Sequence, residues 1–234
     1  MSCGFLLSIF IFEELPFKNM DNEIKIPVLN AEQIRVLGSL MEKAKTTPDY
    51  YPMTMNGLVS ACNQKTSRKP VVNYDEETIG AALNSLKIGG LMSTAMGGSS
   101  RATKYKHNFA IVYPLLPSEV AVMCLLFLRG PQTPGEINTN SGRLHEFETL
   151  EEVNQTLEKL AGEGYIKQLP KRPGQKEQRY AHLFSGDVEF NEEDFATDEA
   201  PARSNSGLEE RVTKLETELA ELKENFDKLM KELY

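Results

Sequence analysis

Cysteine and histidine are both scarce in this chain, and neither is arranged for chemistry. Cys3, Cys62 and Cys124 are odd in number and share no ligand-like spacing, so neither a disulfide framework nor a zinc site is expected, and a reducing cytoplasm is the natural setting. His107, His145 and His182 lie far apart, and the sequence holds no HExxH pair, no CxxC and no glycine-rich phosphate loop. No serine or cysteine stands beside an identifiable base. Those absences remove the usual signatures of hydrolytic, metal-dependent and nucleotide-using enzymes. The chain is expected to be non-enzymatic, with no cofactor and no metal.

Long hydrophobic runs are missing too. The oily stretch FLLSIFIF at residues 5–12 is too short to span a bilayer, and it has neither a preceding basic residue nor a following small-residue cleavage site. Residues 1–27 are expected to be an N-terminal extension, disordered or preceding a true start at Met20. The chain as a whole is not expected to work at a membrane. For the residues before Met20 alone, a short membrane-seeking or partner-docking segment is the alternative reading.

The formal charge of −8 over 234 residues would by itself argue against nucleic acid, but its placement matters more than its size. Residues 28–115 carry 10 Lys/Arg against 6 Asp/Glu, residues 116–185 carry 8 against 9, and residues 186–234 carry 6 against 15. The acidity therefore belongs to the tail, and residues 28–115 are mildly basic.

What is present is one structural phrase written twice, over residues 28–109 and 116–184. Each copy reads amphipathic helix, short helix started by threonine, amphipathic helix with an acidic start, short strand, basic hairpin containing glycine, and a strand ending in Phe. Leu40 to Leu126 is an offset of 86, Thr54 to Thr133 of 79, Leu86 to Leu160 of 74 and Tyr105 to Tyr180 of 75. The offset shrinks between elements, so the copies differ in loop length. Asn30 is placed to cap the first helix, and Thr133, Pro134 and Glu136 form a capping-box start for the second helix of copy two. Gly89 and Gly90, and in copy two Gly162 and Gly164, suit left-handed helix ends. This order is that of the winged helix. The expected fold is mainly α with small β hairpins: two tandem winged-helix domains at residues 28–115 and 116–185, then an acidic linker at 186–207.

Beyond the linker, Leu208, Val212, Leu215, Leu219, Leu222, Phe226, Leu229 and Leu233 are separated by 4, 3, 4, 3, 4, 3 and 4 residues. Residues 208–234 are therefore expected to form a coiled-coil helix about 40 Å long. Such a seam needs a partner, most simply the same segment of a second copy, so a homodimer is expected.

The cations that could meet phosphate are Lys65, Arg68 and Lys69, set among Asn63, Gln64, Thr66 and Ser67 between the second and third helices, and Arg101, Lys104 and Lys106 on the first hairpin. Cations and amides together can contact phosphates and base edges; the same composition also makes an ordinary polar loop. Copy two offers Lys171, Arg172, Lys176 and Arg179. Against groove insertion, the third helices begin with Asp75, Glu76 and Glu77, and with Glu151 and Glu152, where approach to a DNA backbone would want cations. The expectation is a regulatory protein that binds double-stranded DNA through loop and wing. The alternative is a scaffold whose winged units hold a protein partner.

The motifs TTPDYYPMTMNGLVSACNQKTSRKPVV, RATKYKHNF, LLFLRGPQTPGEI, RLHEF and RYAHLFSGDVE resemble those of the YceH family, bacterial tandem winged-helix proteins of unestablished biochemical role. The resemblance covers about residues 29–188. It implies the fold, a cytoplasmic location and a DNA-binding or regulatory role, and it brings no catalytic residue. Family members tend to carry basic residues in the second helix of copy two, where this chain has Asn138, Thr139 and Asn140 before Arg143.

Overall fold

The computed structural model describes residues 26–96, 102–171 and 177–186, and beyond them Thr217 and Lys223 alone. Seven α-helices and two antiparallel hairpins occupy the described residues. The first half comprises α1 (Ala31–Thr46), α2 (Met55–Cys62), α3 (Glu76–Ile88), β1 (Met92–Met96) and β2 (Thr103–His107), followed by the single turn α4 (Phe109–Val112). The second half comprises α5 (Pro117–Arg129), α6 (Pro134–Ser141), α7 (Leu150–Gly162), β3 (Ile166–Gln168) and β4 (Tyr180–His182).

Local chemistry sets the helix ends. The Asn30 side chain accepts from the Gln33 amide and the Gln33 side chain accepts from the Asn30 amide, both at 2.8 Å. Thr54 and Thr133 start α2 and α6 alike, and Glu136 completes the box on the Thr133 amide at 2.9 Å. Both third helices end the same way: the Leu91 amide donates to the Leu86 carbonyl and the Tyr165 amide to the Leu160 carbonyl. The intervening Gly90 and Gly164 sit at φ of 72° and 80°, a backbone region that glycine enters without penalty. Gly89 and Gly162 lie outside that region.

Each hairpin is joined by one residue from just before its second helix. Met53 and Tyr105 exchange backbone hydrogen bonds at 3.0 and 2.7 Å, as Gln132 and Tyr180 do at 3.1 and 2.8 Å. Tyr105 pairs with Thr94 in the first hairpin and Tyr180 with Gln168 in the second. The duplication thus extends to individual backbone pairs. The phenylalanines expected to end the strands fall just past them: β2 stops at His107 before Phe109, and β4 at His182 before Phe184.

The boundary expected at residue 115 does not separate two cores. The described residues from 26 to 186 fall in one compact unit, and α1 packs more extensively on α5 than on any other helix. Ala121 to Leu128 are all buried, so α5 is apolar all round and must be covered on every side. Gly38 lets the two helices meet: a Cβ there would lie 3.0 Å from Leu128 Cδ2 and from Phe127 Cβ. The Cys124 thiol donates to the Gly38 carbonyl at 3.5 Å. Gly38 and Cys124 are themselves 86 apart, so the equivalent helices cross at equivalent residues, as in a twofold dimer written into one chain.

Around this crossing, rings from both halves share one cluster. Phe109 lies 5.5 Å from Phe127 and 5.4 Å from Phe184, and Tyr113 lies 5.6 Å from Tyr165. The Leu29 amide donates to the Phe184 carbonyl at 2.6 Å, tying the start of one half to the end of the other. The coiled-coil seam from Leu208 to Leu233 lies outside the described residues; Thr217 and Lys223, the two described there, are helical and exposed.

Candidate nucleic-acid interface

The segment between α2 and α3 is built as an anchor. Asn63 clamps it with two hydrogen bonds to the backbone of Tyr74, each 2.8 Å. The Lys69 amide donates to the Leu128 carbonyl at 2.8 Å, and Arg129 of α5 donates to the Ser67 hydroxyl at 2.9 Å. Arg35 donates to the Pro70 carbonyl. This loop of the first half is therefore fastened to α1 and to the second half.

Arg68 is the centre of that anchor, which corrects its assignment as a DNA contact. It is 6% exposed. Its guanidinium grips the Glu42 carboxylate at 3.1 and 2.6 Å and donates to the Ala61 carbonyl from two nitrogens. A fork so fully engaged has no donor to spare for phosphate. Burial pushes the Glu42 carboxyl up, but the hydrogen bonds and charge of Arg68 outweigh it and hold the group below its ordinary value. Nothing in spacing could have found this pair, since 26 residues and a turn of chain separate the partners.

The remaining loop cations, Lys65 and Lys69, are exposed. On the hairpin, strand alternation puts Lys104 and Lys106 on one face and Tyr105 on the other, where it packs against the core. Lys106 is exposed and Lys104 half-buried. Lys65, Lys104 and Lys106 make no ion pair among the described residues. Arg101 lies outside the described residues, as do Arg172 and Lys176 of the second hairpin.

Internal equivalence makes the hairpin informative. Since Tyr105 corresponds to Tyr180 and Thr54 to Thr133, Lys104 corresponds to Arg179 and Gly57 to Glu136. Arg179 is held by both oxygens of Glu136 at 2.8 Å and also donates to the Pro131 carbonyl. In the first half the acid is replaced by glycine, and Lys104 makes no ion pair among the described residues. At the third helices, Asp75 is spent as the cap of α3, accepting from the Thr78 amide at 2.8 Å, while Glu76, Glu77 and Glu151 are exposed. Glu152 instead accepts from the Glu148 amide.

Several buried groups have shifted acidities. Burial lowers His107 and His182 to about 4 and raises the Cys62 thiol to about 11; it pushes the Cys124 thiol up further. Among the described residues no cluster of His, Cys, Asp or Glu is disposed to hold a metal ion, and no helix is long and apolar enough to cross a membrane.

Comparison with known proteins places this architecture. A family model described as "Protein of unknown function, DUF480" matches residues 29–175. A UPF0502 protein of Solibacter usitatus is 49% identical over 201 residues, covering 85% of this chain and 95% of that protein. A UPF0502 protein of Opitutus terrae is 43% identical over 193 residues, covering 81% and 84%. The UPF0502 protein YceH of Salmonella newport is 42% identical over 212 residues, covering 88% and 97%. The family model spans nearly all of the first copy of the duplicated phrase and the second as far as residue 175, and the chain belongs to the DUF480 (UPF0502, YceH) family.

Proposed function

We propose that each half is a winged-helix unit and that the chain is a non-enzymatic protein that binds duplex DNA in a regulatory role. The contact set is Lys65, Lys69, Lys104 and Lys106, with Arg101 just ahead of the hairpin lysines in sequence. The observation that carries this reading is the unequal treatment of one duplicated position: Arg179 is neutralised by Glu136, while the residue equivalent to Glu136 in the first half is Gly57 and Lys104 makes no ion pair among the described residues. Exposed lysines that make no ion pair among the described residues, here Lys65 and Lys106, attract phosphate through counterion release. Phosphate-led binding positions a protein without reading bases, which suits third helices that begin with carboxylates. Pairing of two copies through the heptad seam would present two such surfaces to one duplex and raise modest affinity by avidity.

The test is fluorescence anisotropy with a duplex probe. Four phosphate contacts predict affinity falling about 100-fold between ~50 and ~200 mM salt, and charge reversal at Lys104 and Lys106 removes most of the binding. A chain that fails to retain duplex at low salt ends this reading. The scaffold reading draws support from one feature: Ile88, at the C-terminal end of α3, is 89% exposed, as a residue of a protein-docking surface would be. Failure of DNA binding with retention of a protein partner lost on Ile88→Ser would favour it.

A further inference from the structure

The two halves fill one equivalent space differently. In the second half Phe127 lies edge-on to His182, with ring centroids 4.9 Å apart. The offset of 86 puts Met41 at the corresponding place in the first half, and the offset of 75 puts His107 where the second half has His182. The thioether does not occupy the room that a ring takes. Beside Met41 and His107 lies a cavity of about 240 Å³, walled by Ala44 and Lys45 at the end of α1 and by Val120 and Ala121 at the start of α5. About 150 Å³ is enough to hold benzene in an apolar protein interior, so this space takes a ring with a substituent and is too small for a peptide segment.

Two polar groups border an otherwise apolar lining. Lys45 is exposed and makes no ion pair among the described residues. His107 presents its ring to the cavity; its buried Nδ1 has no hydrogen-bond partner, as is also true of the equivalent His182. The thiol of Cys124 also lines the cavity but donates to the Gly38 carbonyl, and burial keeps it protonated, so reversible binding is the relevant chemistry.

We propose that this cavity binds a small aromatic carboxylate, its ring taking the place that Phe127 fills in the other half and its carboxylate meeting Lys45 at the rim. An apolar site with few convergent polar groups is the usual form of a small-molecule pocket. A carboxylate oxygen accepts from the ammonium.

The test titrates the full chain with benzoate and with the neutral benzyl alcohol, followed by calorimetry and by the amide resonances of Ala44 and Ala121. Benzoate is expected to saturate and to bind about tenfold more tightly than the alcohol, a difference of about 1.4 kcal/mol. Met41→Phe is expected to fill the space, raise Tm and abolish benzoate binding. Lys45→Gln is expected to leave Tm unchanged and to erase the preference for benzoate. Absence of saturable benzoate binding, equal affinity for the alcohol in the unsubstituted chain, or undiminished binding by a folded Met41→Phe protein would each overturn the proposal. If Met41→Phe does not fold, the Lys45→Gln comparison decides. No readout involves DNA, so the outcome is independent of the functional reading above.

Discussion

The two halves repeat one another in backbone and diverge in what they do with charge. In the first half the buried Arg68 holds structure together and the hairpin lysines Lys104 and Lys106 make no ion pair among the described residues; in the second, Arg179 occupies the hairpin position and is paired on the surface with Glu136. Duplication freed one copy to stabilise itself electrostatically while the other kept an exposed cationic face. A cation's role therefore depends on its local partner more than on its place in the motif.

The largest expected effect tests that contrast directly. Arg68→Ala strands the half-buried Glu42 carboxylate and removes three tethers of the loop, and is expected to cost about 3–5 kcal/mol in urea unfolding. Arg179→Ala, at a surface pair, should cost less than about 1 kcal/mol. Equal effects would mean that the two arginines play one role. Next in size, Gly38→Leu forces a side chain into Phe127 and Leu128 and should cost about 2 kcal/mol by overpacking. Because the core is shared, calorimetry should show one transition shifted down; two separate transitions would show that the halves fold independently.

Acidification probes the equivalent histidines. Both are lowered to about 4 from an ordinary 6.5, so between those values the unfolded chain binds more protons than the folded one. Stability is full above pH 6.5 and falls as pH drops toward 4, by of order 2 kcal/mol per histidine. His182→Phe should flatten this limb of the Tm profile. Glu42, held low, contributes above its ordinary 4.5 and loses that contribution below it. The smallest stability effect is the sharpest functional one. Gly57→Glu places a carboxylate where Glu136 stands and completes a capping box with Thr54, at ordinary contact distances of 3.4 and 3.6 Å. Stability is expected to rise by about 0.5–1 kcal/mol, while duplex affinity falls about tenfold with the loss of one phosphate contact. Unchanged affinity would show that Lys104 is no part of the interface.

Much of the fold was legible because short-range chemistry repeats: Asn30, Thr54 and Thr133 announce helix starts, and the tyrosines 75 apart mark the same strand position. The joining of the halves was not read, although a signal existed. Residues 120–128 are apolar without interruption, and a helix with no polar face cannot lie on the surface of a small domain. Arg68 was misread for a different reason. A basic loop looks alike in sequence whether its cations face water or a buried carboxylate, and Glu42 sits on another element. The equivalence of Gly57 with Glu136 becomes visible only once the bridges at Met53 and Gln132 fix the alignment of the copies.

The bond between the Leu29 amide and the Phe184 carbonyl has a topological consequence. It seats the two limits of the duplicated body side by side, so the order in which the halves are encoded is immaterial to the contacts they make. A circular permutant opened between Leu115 and Leu116 and closed by a short flexible bridge from Gly186 to Val28 should assemble the same body, with the former junction as its new ends.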